Sequence, residues 1–105
     1  MKWFSVAKAG EIPAKQGRRV VCGAKELALF NLGETYLATD GQCPHRQGPL
    51  GDGIVCGTTV TCPLHQWKIS LEDGRVLSGG EGQVATYPVQ MKEGEIYIGF
   101  SESPS

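Results

Sequence analysis

The sequence predicts an all-β fold built from antiparallel strands. Short segments rich in β-branched and aromatic residues recur between turns that contain glycine, which is typical of such folds. No segment shows a convincing helical period. The spacing of the segments fits a small sandwich or barrel, and 105 residues are enough for one core but too few for a second. We therefore expect residues 1–105 to form a single domain.

Eight segments have the composition of strands. Four of them end before residue 40 and four begin after residue 57. In chain order they are Trp3–Val6, Arg18–Cys22, Glu26–Leu32, Tyr36–Thr39, Thr58–Thr61, Trp67–Ser70, Val84–Val89 and Glu95–Phe100.

Turn residues separate several of these strands. Asn31–Glu34 and Glu93–Gly94 have the composition of hairpin turns, and Asp73–Gly74 is a pair that suits two positive φ angles. Alternation at period two predicts which faces of the last two strands join the core. These core positions are Ile96, Ile98 and Phe100 in the last strand and Ala85, Tyr87, Val89 and Met91 before it.

The segment from Asp40 to Gly57 interrupts the strand pattern. Its glycines and prolines leave little room for regular strands, so it is expected to be a long, shaped loop. Long loops inside compact domains are usually functional or disordered, and Cys43 and His45 within this loop favour a function. The tail, residues 101–105, is expected to be flexible.

Composition narrows the class of partner and the compartment. A formal net charge of −1 gives no reason to expect nucleic-acid binding. The first residues lack the apolar run of a signal peptide, and no segment approaches the roughly 20 apolar residues that a membrane span needs. We therefore expect a soluble cytoplasmic protein whose four cysteines are metal ligands or free thiols rather than disulfides.

Two short motifs contain both histidines of the chain. They are Cys43-Pro44-His45 and Cys62-Pro63-Leu64-His65, which together read C-x-H-x16-C-x2-H. Thiolates suit iron–sulfur clusters and zinc, and imidazoles suit borderline metals, so the four side chains can form one four-ligand site. In a Rieske centre two cysteines hold one iron and two histidines hold the other, which matches one ligand of each kind in each motif. A structural zinc site would use the same atoms, but the chain has no C-x2-C pair of the kind that zinc sites usually contain.

The longer segments around both motifs resemble the two cluster loops of Rieske ferredoxins. The resemblance rests on Cys43-Pro-His45-Arg-Gln-Gly-Pro-Leu50 and Cys62-Pro-Leu-His65-Gln-Trp67, and the strand pattern extends it to Phe100. It implies a Rieske-like β-sandwich or barrel with a cluster-binding subdomain at about residues 41–70. It also implies one 2Fe-2S cluster whose ligands are Cys43, His45, Cys62 and His65.

A finer resemblance suggests the redox system. Residues 53–67 are most similar to small subunits of NAD(P)H-dependent nitrite reductases. Ferredoxins of aromatic-ring-hydroxylating dioxygenases have the same ligands and size, and they are the alternative. A structural zinc-binding interaction module is the less favoured third reading.

The expected role is electron transfer without catalysis by this chain alone. The chain has no dinucleotide-binding fingerprint and no room for a flavin domain, so it must pass electrons between larger redox proteins. The resemblance also implies a reduction potential toward the low end of the Rieske range of roughly −150 to +300 mV. High-potential relatives have two further cysteines, a serine and a tyrosine where this chain has Gly48, Leu64, Trp67 and Ile69.

The remaining residues near the motifs receive weaker assignments. Cys22 and Cys56 are expected to be buried or half-buried free thiols, and Trp67 is expected to pack in the core. Gln47 and Gln66 stand where many relatives have glycine, so a positive φ at either position would be strained. The charges of Arg46 and Lys68 receive no role.

Overall fold

The computed structural model of the chain describes residues 2–22, 25–33, 35–41, 50–63, 66–80 and 82–100. In these residues the backbone forms eleven strands and one short 3-10 helix, labelled η1. The elements are β1 (Lys2–Lys8), β2 (Gln16–Cys22), β3 (Lys25–Asn31), β4 (Tyr36–Asp40), η1 (Leu50–Asp52), β5 (Ile54–Cys56), β6 (Thr59–Thr61), β7 (Lys68–Ser70), β8 (Val76–Ser78), β9 (Thr86–Tyr87), β10 (Val89–Lys92) and β11 (Glu95–Phe100).

The strands form three antiparallel sheets. The first has the order β1-β11-β10, the second β2-β3-β4-β9, and the third β5-β6-β7-β8. Every pairing within these sheets is antiparallel. The predicted all-β class is therefore confirmed.

Strand β3 is buried on both of its faces and separates two cores. Leu27 and Leu29 point to one side, and Ala28 and Phe30 point to the other, as the period-two alternation of a strand requires. The first side is the scaffold core, formed by Ala7, Ile12, Val20, Cys22, Leu27, Leu29, Ala38, Ile96 and Ile98. The second side is the loop-side core, formed by Ala28, Phe30, Leu50, Val55, Val60, Cys62, Ile69, Leu71 and Val84.

The segment predicted as one strand, Val84–Val89, belongs to two sheets. Thr86 and Tyr87 pair with β4, whereas Val89 begins β10, which pairs with β11. The chain crosses between the sheets at Pro88, which has no N–H to donate and whose carbonyl accepts a hydrogen bond from the Gly99 N–H at 3.0 Å.

This crossing overturns part of the predicted core face. Tyr87 and Val89 pack partly buried against the scaffold core. Ala85 and Met91 are exposed instead: Ala85 lies outside β9, and Met91 lies on β10, the edge strand of its sheet. In β11, Ile96 and Ile98 are fully buried as predicted, and the side chain of Phe100 lies outside the described residues.

The segment from Asp40 to Gly57 is more regular than the sequence indicates. It contains η1 and β5, so the prediction that it leaves little room for strands was wrong for its second half. Strands β8 and β10 were also not predicted as separate elements. The other predicted strands are confirmed within a few residues of their bounds.

The turns follow their sequence signals with one exception. Glu93 and Gly94 have φ angles of 52° and 80° between β10 and β11, and Gly33 has a φ of 97° after β3. At Asp73–Gly74 the predicted pair of positive φ angles was wrong, because only Gly74, at 80°, has one. Across the ranges given above, no helix has the length and apolar character needed to span a membrane.

Candidate metal centre

Cys62 is the predicted ligand whose surroundings the structure describes. It follows β6 directly, has 0% relative exposure and packs in the loop-side core. Its N–H donates a hydrogen bond to the Trp67 carbonyl at 2.7 Å, which closes the backbone around residues 63–66. Cys62 and Trp67, at the two ends of the second motif's segment, are therefore joined by this hydrogen bond.

The first motif is closed at its base in the same way. The Leu50 N–H donates to the Gly41 carbonyl at 3.1 Å, and the Gly41 N–H donates to the Glu26 carbonyl of β3 at 3.2 Å. Leu50 is fully buried in the loop-side core, the same core that contains Cys62. Gly41 and Leu50, which flank residues 42–49, thus form a stem fixed on β3 and on that core.

Close backbone packing joins the two loop bases. The Gly53 N–H donates to the Leu50 carbonyl at 2.9 Å. A Cβ added to Gly53 would lie 2.7 Å from Cγ2 of Val60, closer than real Cβ contacts come, so a larger residue would push η1 away from β6. The chain that follows the first loop therefore packs directly on the strand that leads to Cys62.

The other three predicted ligands, Cys43, His45 and His65, lie outside the described residues. Among the residues that are described, no group of three histidine, cysteine, aspartate or glutamate side chains could hold a metal ion. Cys62 itself is a free thiol. A buried cysteine beside the stem of the other loop has the sulfur donor and the placement that an iron–sulfur cluster requires.

A cleft of about 250 Å³ opens beside Cys62. Ile54 lines it and has 72% relative exposure, which is high for a large apolar side chain on a strand. The other lining residues are Asp52, Gly53, Thr61, Cys62, Pro63 and Gln66. Strand β5 thus presents an accessible apolar side chain beside Cys62.

Two residues after the second motif behave as the sequence indicates. Gln66 has a φ of 56°, so the strain expected for a side chain at this position is confirmed. Trp67 is partly buried and packs against the loop-side core, as predicted. Gly79 and Gly80 lie against its indole ring, and a Cβ on Gly79 would come within 2.6 Å of Cδ1 of Trp67.

A hydrogen-bonded group at the base of the first loop was not predicted from the sequence. Asp40, the last residue of β4, accepts hydrogen bonds from the Tyr87 hydroxyl at 2.6 Å and from the Ala85 N–H at 3.0 Å. Lys25 Nζ lies 3.5 Å from the Asp40 carboxylate and 5.5 Å from the centre of the Tyr87 ring. Burial and the hydrogen bond to Asp40 raise the pKa of the Tyr87 phenol.

The two cysteines outside the motifs are both free thiols, so no disulfide joins them. Cys22 is fully buried in the scaffold core, and this burial raises the pKa of its thiol. Cys56 is exposed on β5, so the expectation that it is at least half buried was wrong. Its side chain points to solvent because its neighbour Val55 takes the inward position in this three-residue strand.

Comparison with known proteins agrees with this geometry. A family model described as the Rieske [2Fe-2S] domain matches residues 2–88. The ferredoxin component of a naphthalene 1,2-dioxygenase system from Pseudomonas aeruginosa is 36% identical, over 95% of this chain and 97% of its own. The nitrite reductase [NAD(P)H] large subunit of Klebsiella oxytoca is 31% identical over 92% of this chain, which corresponds to 11% of that protein.

Solved structures show the same fold. A chain in the complex of reduced oxygenase and oxidized ferredoxin in carbazole 1,9a-dioxygenase superposes with a TM-score of 0.85 at 30% identity and covers 91% of each chain. A putative NADH-dependent nitrite reductase small subunit from Mycobacterium tuberculosis gives 0.85 at 24% identity and covers 92% of this chain and 93% of that one.

Proposed function

Because the chain belongs to the Rieske [2Fe-2S] domain family, we propose that Cys43, His45, Cys62 and His65 hold its single 2Fe-2S cluster. The observation that carries this assignment is the position of Cys62, a buried free thiol at the closed base of one loop and beside the stem of the other. When bound, the cluster supplies one-electron oxidation and reduction. The cluster-binding part would then extend over about residues 41–70 of one domain formed by residues 1–105.

The chain's own residues perform three tasks in electron transfer. The hydrogen bonds from Cys62 to Trp67 and from Leu50 to Gly41 hold the loop ends in place, which limits the rearrangement that accompanies a change of charge. The loop-side core excludes water from the inner side of Cys62. The apolar cleft at Ile54 leaves the neighbouring surface accessible to a partner.

For the partner, we propose the reductase and terminal oxygenase of an aromatic-ring-hydroxylating system. Support comes from the naphthalene dioxygenase ferredoxin, whose full length this chain matches at the higher identity of 36%. The carbazole dioxygenase structure supports it further, because there a ferredoxin is in complex with its oxygenase. Electron transfer to or from these proteins does not require the chain to bind nucleic acid or a membrane.

The small subunit of an NAD(P)H-dependent nitrite reductase is the second candidate. Its support is the 31% identity to a part of the Klebsiella oxytoca large subunit. In that case the partner would be a flavin- and sirohaem-containing nitrite reductase.

Metal analysis tests the cofactor, and a reconstituted electron-transfer assay tests the partner. Purified protein should be reddish brown and contain two iron and two acid-labile sulfide per chain. Colourless protein with one zinc would instead support a structural zinc-binding module. Reduced protein should be reoxidised by a ring-hydroxylating oxygenase with its aromatic substrate, and reoxidation only by nitrite reductase with nitrite would favour the second candidate.

We also propose a cytoplasmic location. A thiolate-held cluster and the free thiols of Cys22 and Cys56 suit a reducing compartment. Cell fractionation followed by detection of the chain tests this, and recovery with periplasmic markers would contradict it.

A further inference from the structure

The stem of the first loop is fixed from two directions at consecutive residues. Asp40 binds toward β9 through its carboxylate, which accepts the Tyr87 hydroxyl at 2.6 Å and the Ala85 N–H at 3.0 Å. The Gly41 N–H donates to the Glu26 carbonyl of β3, and the Gly41 carbonyl accepts the Leu50 N–H. The position of the stem is therefore determined by a side-chain pair as well as by the backbone.

The hydrogen bond between Asp40 and Tyr87 joins β4 to β9, which are otherwise held together by a short strand pairing. Strand β9 has two residues, Thr86 and Tyr87, and each pairs with one residue of β4. The Asp40 N–H donates to the Ala85 carbonyl at 2.9 Å, so Asp40 and Ala85 exchange hydrogen bonds in both directions. A hydrogen bond to a carboxylate is typically stronger than one between neutral groups, so the 2.6 Å Tyr87 contact adds a strong side-chain bond to this stem.

We propose that Asp40 and Tyr87 are positioning residues for the cluster: their hydrogen bond sets the place from which the loop with Cys43 and His45 leaves the scaffold. This proposal rests on the ligand assignment made above. Lys25 strengthens the pair, because its ammonium lies 3.5 Å from the Asp40 carboxylate and 5.5 Å from the centre of the Tyr87 ring. The three residues act on the ligands through the chain and do not bind the metal.

The chain offers a matched control for this pair. Tyr97 also donates a hydrogen bond from its hydroxyl to a carboxylate, that of Glu95 at 2.8 Å, but it lies on β11, in the sheet that does not include the loop stem. Tyr87→Phe and Tyr97→Phe therefore each remove one hydroxyl–carboxylate hydrogen bond and keep the ring.

The experiment follows cluster loss and electron paramagnetic resonance spectra in the purified holoprotein. In Tyr87→Phe, the visible absorbance should bleach about tenfold faster in the presence of an iron chelator, as expected for about 1.4 kcal/mol of lost stabilisation. The g-values of the reduced cluster should also shift or broaden. Tyr97→Phe should match the wild type in both measurements.

Amide hydrogen exchange gives a readout that does not depend on the cluster. Exchange at Gly41 and Leu50 should accelerate in Tyr87→Phe and stay unchanged in Tyr97→Phe. Equal bleaching rates and equal spectra in the two variants would overturn the proposal, as would failure of both Tyr87→Phe and the milder Asp40→Asn to fold. If the wild type itself contains no iron and sulfide, the proposed function fails rather than this inference alone.

Discussion

Cys62 combines two roles that usually belong to different residues. Its side chain is fully buried among Leu50, Val60 and Ile69, so it packs as a small apolar residue would. A thiolate in such surroundings is costly unless a positive partner compensates its charge. In the bound state the iron would supply this positive charge at Cys62.

Serine at a ligand position should abolish cluster incorporation. Cys43→Ser and Cys62→Ser each remove a thiolate that the cluster requires, so iron and sulfide in the purified variants should fall to near zero. Cys56→Ser is the matched control because its thiol is exposed and outside the motifs, and Cys22→Ala tests the buried one. A full complement of iron in Cys62→Ser would refute the ligand assignment.

Glycine at Gln66 should stabilise the fold. The φ of 56° costs a non-glycine residue roughly 1–2 kcal/mol, and glycine loses roughly 0.5–1 kcal/mol through its more flexible unfolded chain. Gln66→Gly should therefore raise the free energy of unfolding by about 0.5–1 kcal/mol, measured by urea titration. Glu93→Gly is the control: Glu93 has a φ of 52° in a hairpin of another sheet, and its replacement should raise the free energy of unfolding by a similar amount. A lower free energy of unfolding in Gln66→Gly alone would show that the Gln66 side chain stabilises the fold by more than the backbone strain costs.

At the scale of elements, β3 is the strand that both cores share. Leu29 and Phe30 are adjacent in the chain, but one lies in the scaffold core and the other in the loop-side core with Leu50 and Cys62. A loss of packing on the Phe30 face should therefore weaken cluster retention. A similar loss on the Leu29 face should mainly lower the free energy of unfolding.

Two substitutions test this division. Phe30→Leu and Leu29→Val should each lower the free energy of unfolding by about 1 kcal/mol. The rate of cluster loss, measured without denaturant, should rise in Phe30→Leu and change little in Leu29→Val. Equal rates in the two variants would show that both cores support the loops alike.

The sequence predicts the regular strands well and the short ones only in part. The run Leu27–Phe30 and the alternation at Ile96 and Ile98 extend over enough residues to identify their strands. Strands β5 and β8 have three residues each and were missed, whereas β6 and β7, equally short, were predicted from their composition. Pro88 divides a segment that has the composition of one strand. Short strands form here because neighbouring strands and the loop-side core hold them.

The candidate site is predictable to the extent that its chemistry is local. Both ligand motifs place a cysteine and a histidine two or three residues apart, which the sequence shows directly. Asp40 and Tyr87 are 47 residues apart, and no spacing rule joins an aspartate to a tyrosine at that distance. Their contact becomes visible only when β4 and β9 are paired in the fold.

At the scale of the whole molecule, one end contains the loops and an exposed apolar side chain. Ile54 lines the cleft beside Cys62 and Pro63, and its exposure of 72% makes its side chain available for contact with a partner. Electron transfer requires a short distance to the cluster, so we expect the partner to contact this end.

Replacing Ile54 should therefore weaken the reaction with the redox partner. Ile54→Asp should lower the second-order rate of electron transfer about tenfold, as the loss of one apolar contact of roughly 1–2 kcal/mol implies. Met91→Asp is the control, because Met91 is also exposed but belongs to β10 in the three-stranded sheet. Stopped-flow mixing at several salt concentrations measures both, and an equal effect of the two substitutions would place the contact elsewhere.

The reduction potential is a property of the whole chain as well as of the cluster. Trp67 and Ile69 provide no hydroxyl where high-potential Rieske proteins donate hydrogen bonds to sulfur, and Ile69 is fully buried in the loop-side core. Voltammetry at neutral pH should therefore give a value near the low end of roughly −150 to +300 mV. A potential near the upper end would show that other donors replace the missing hydroxyls.

The hydrogen bond between Leu50 and Gly41 has a consequence for how the protein matures in the cell. The bond is made between backbone atoms of Gly41 and Leu50, and the buried side chain of Leu50 anchors it. The entropy of bringing the loop ends together is then lost during folding and not during cofactor delivery. We therefore expect both loop stems to form as the chain folds, so that the cluster is inserted into a protein whose loop bases are already closed.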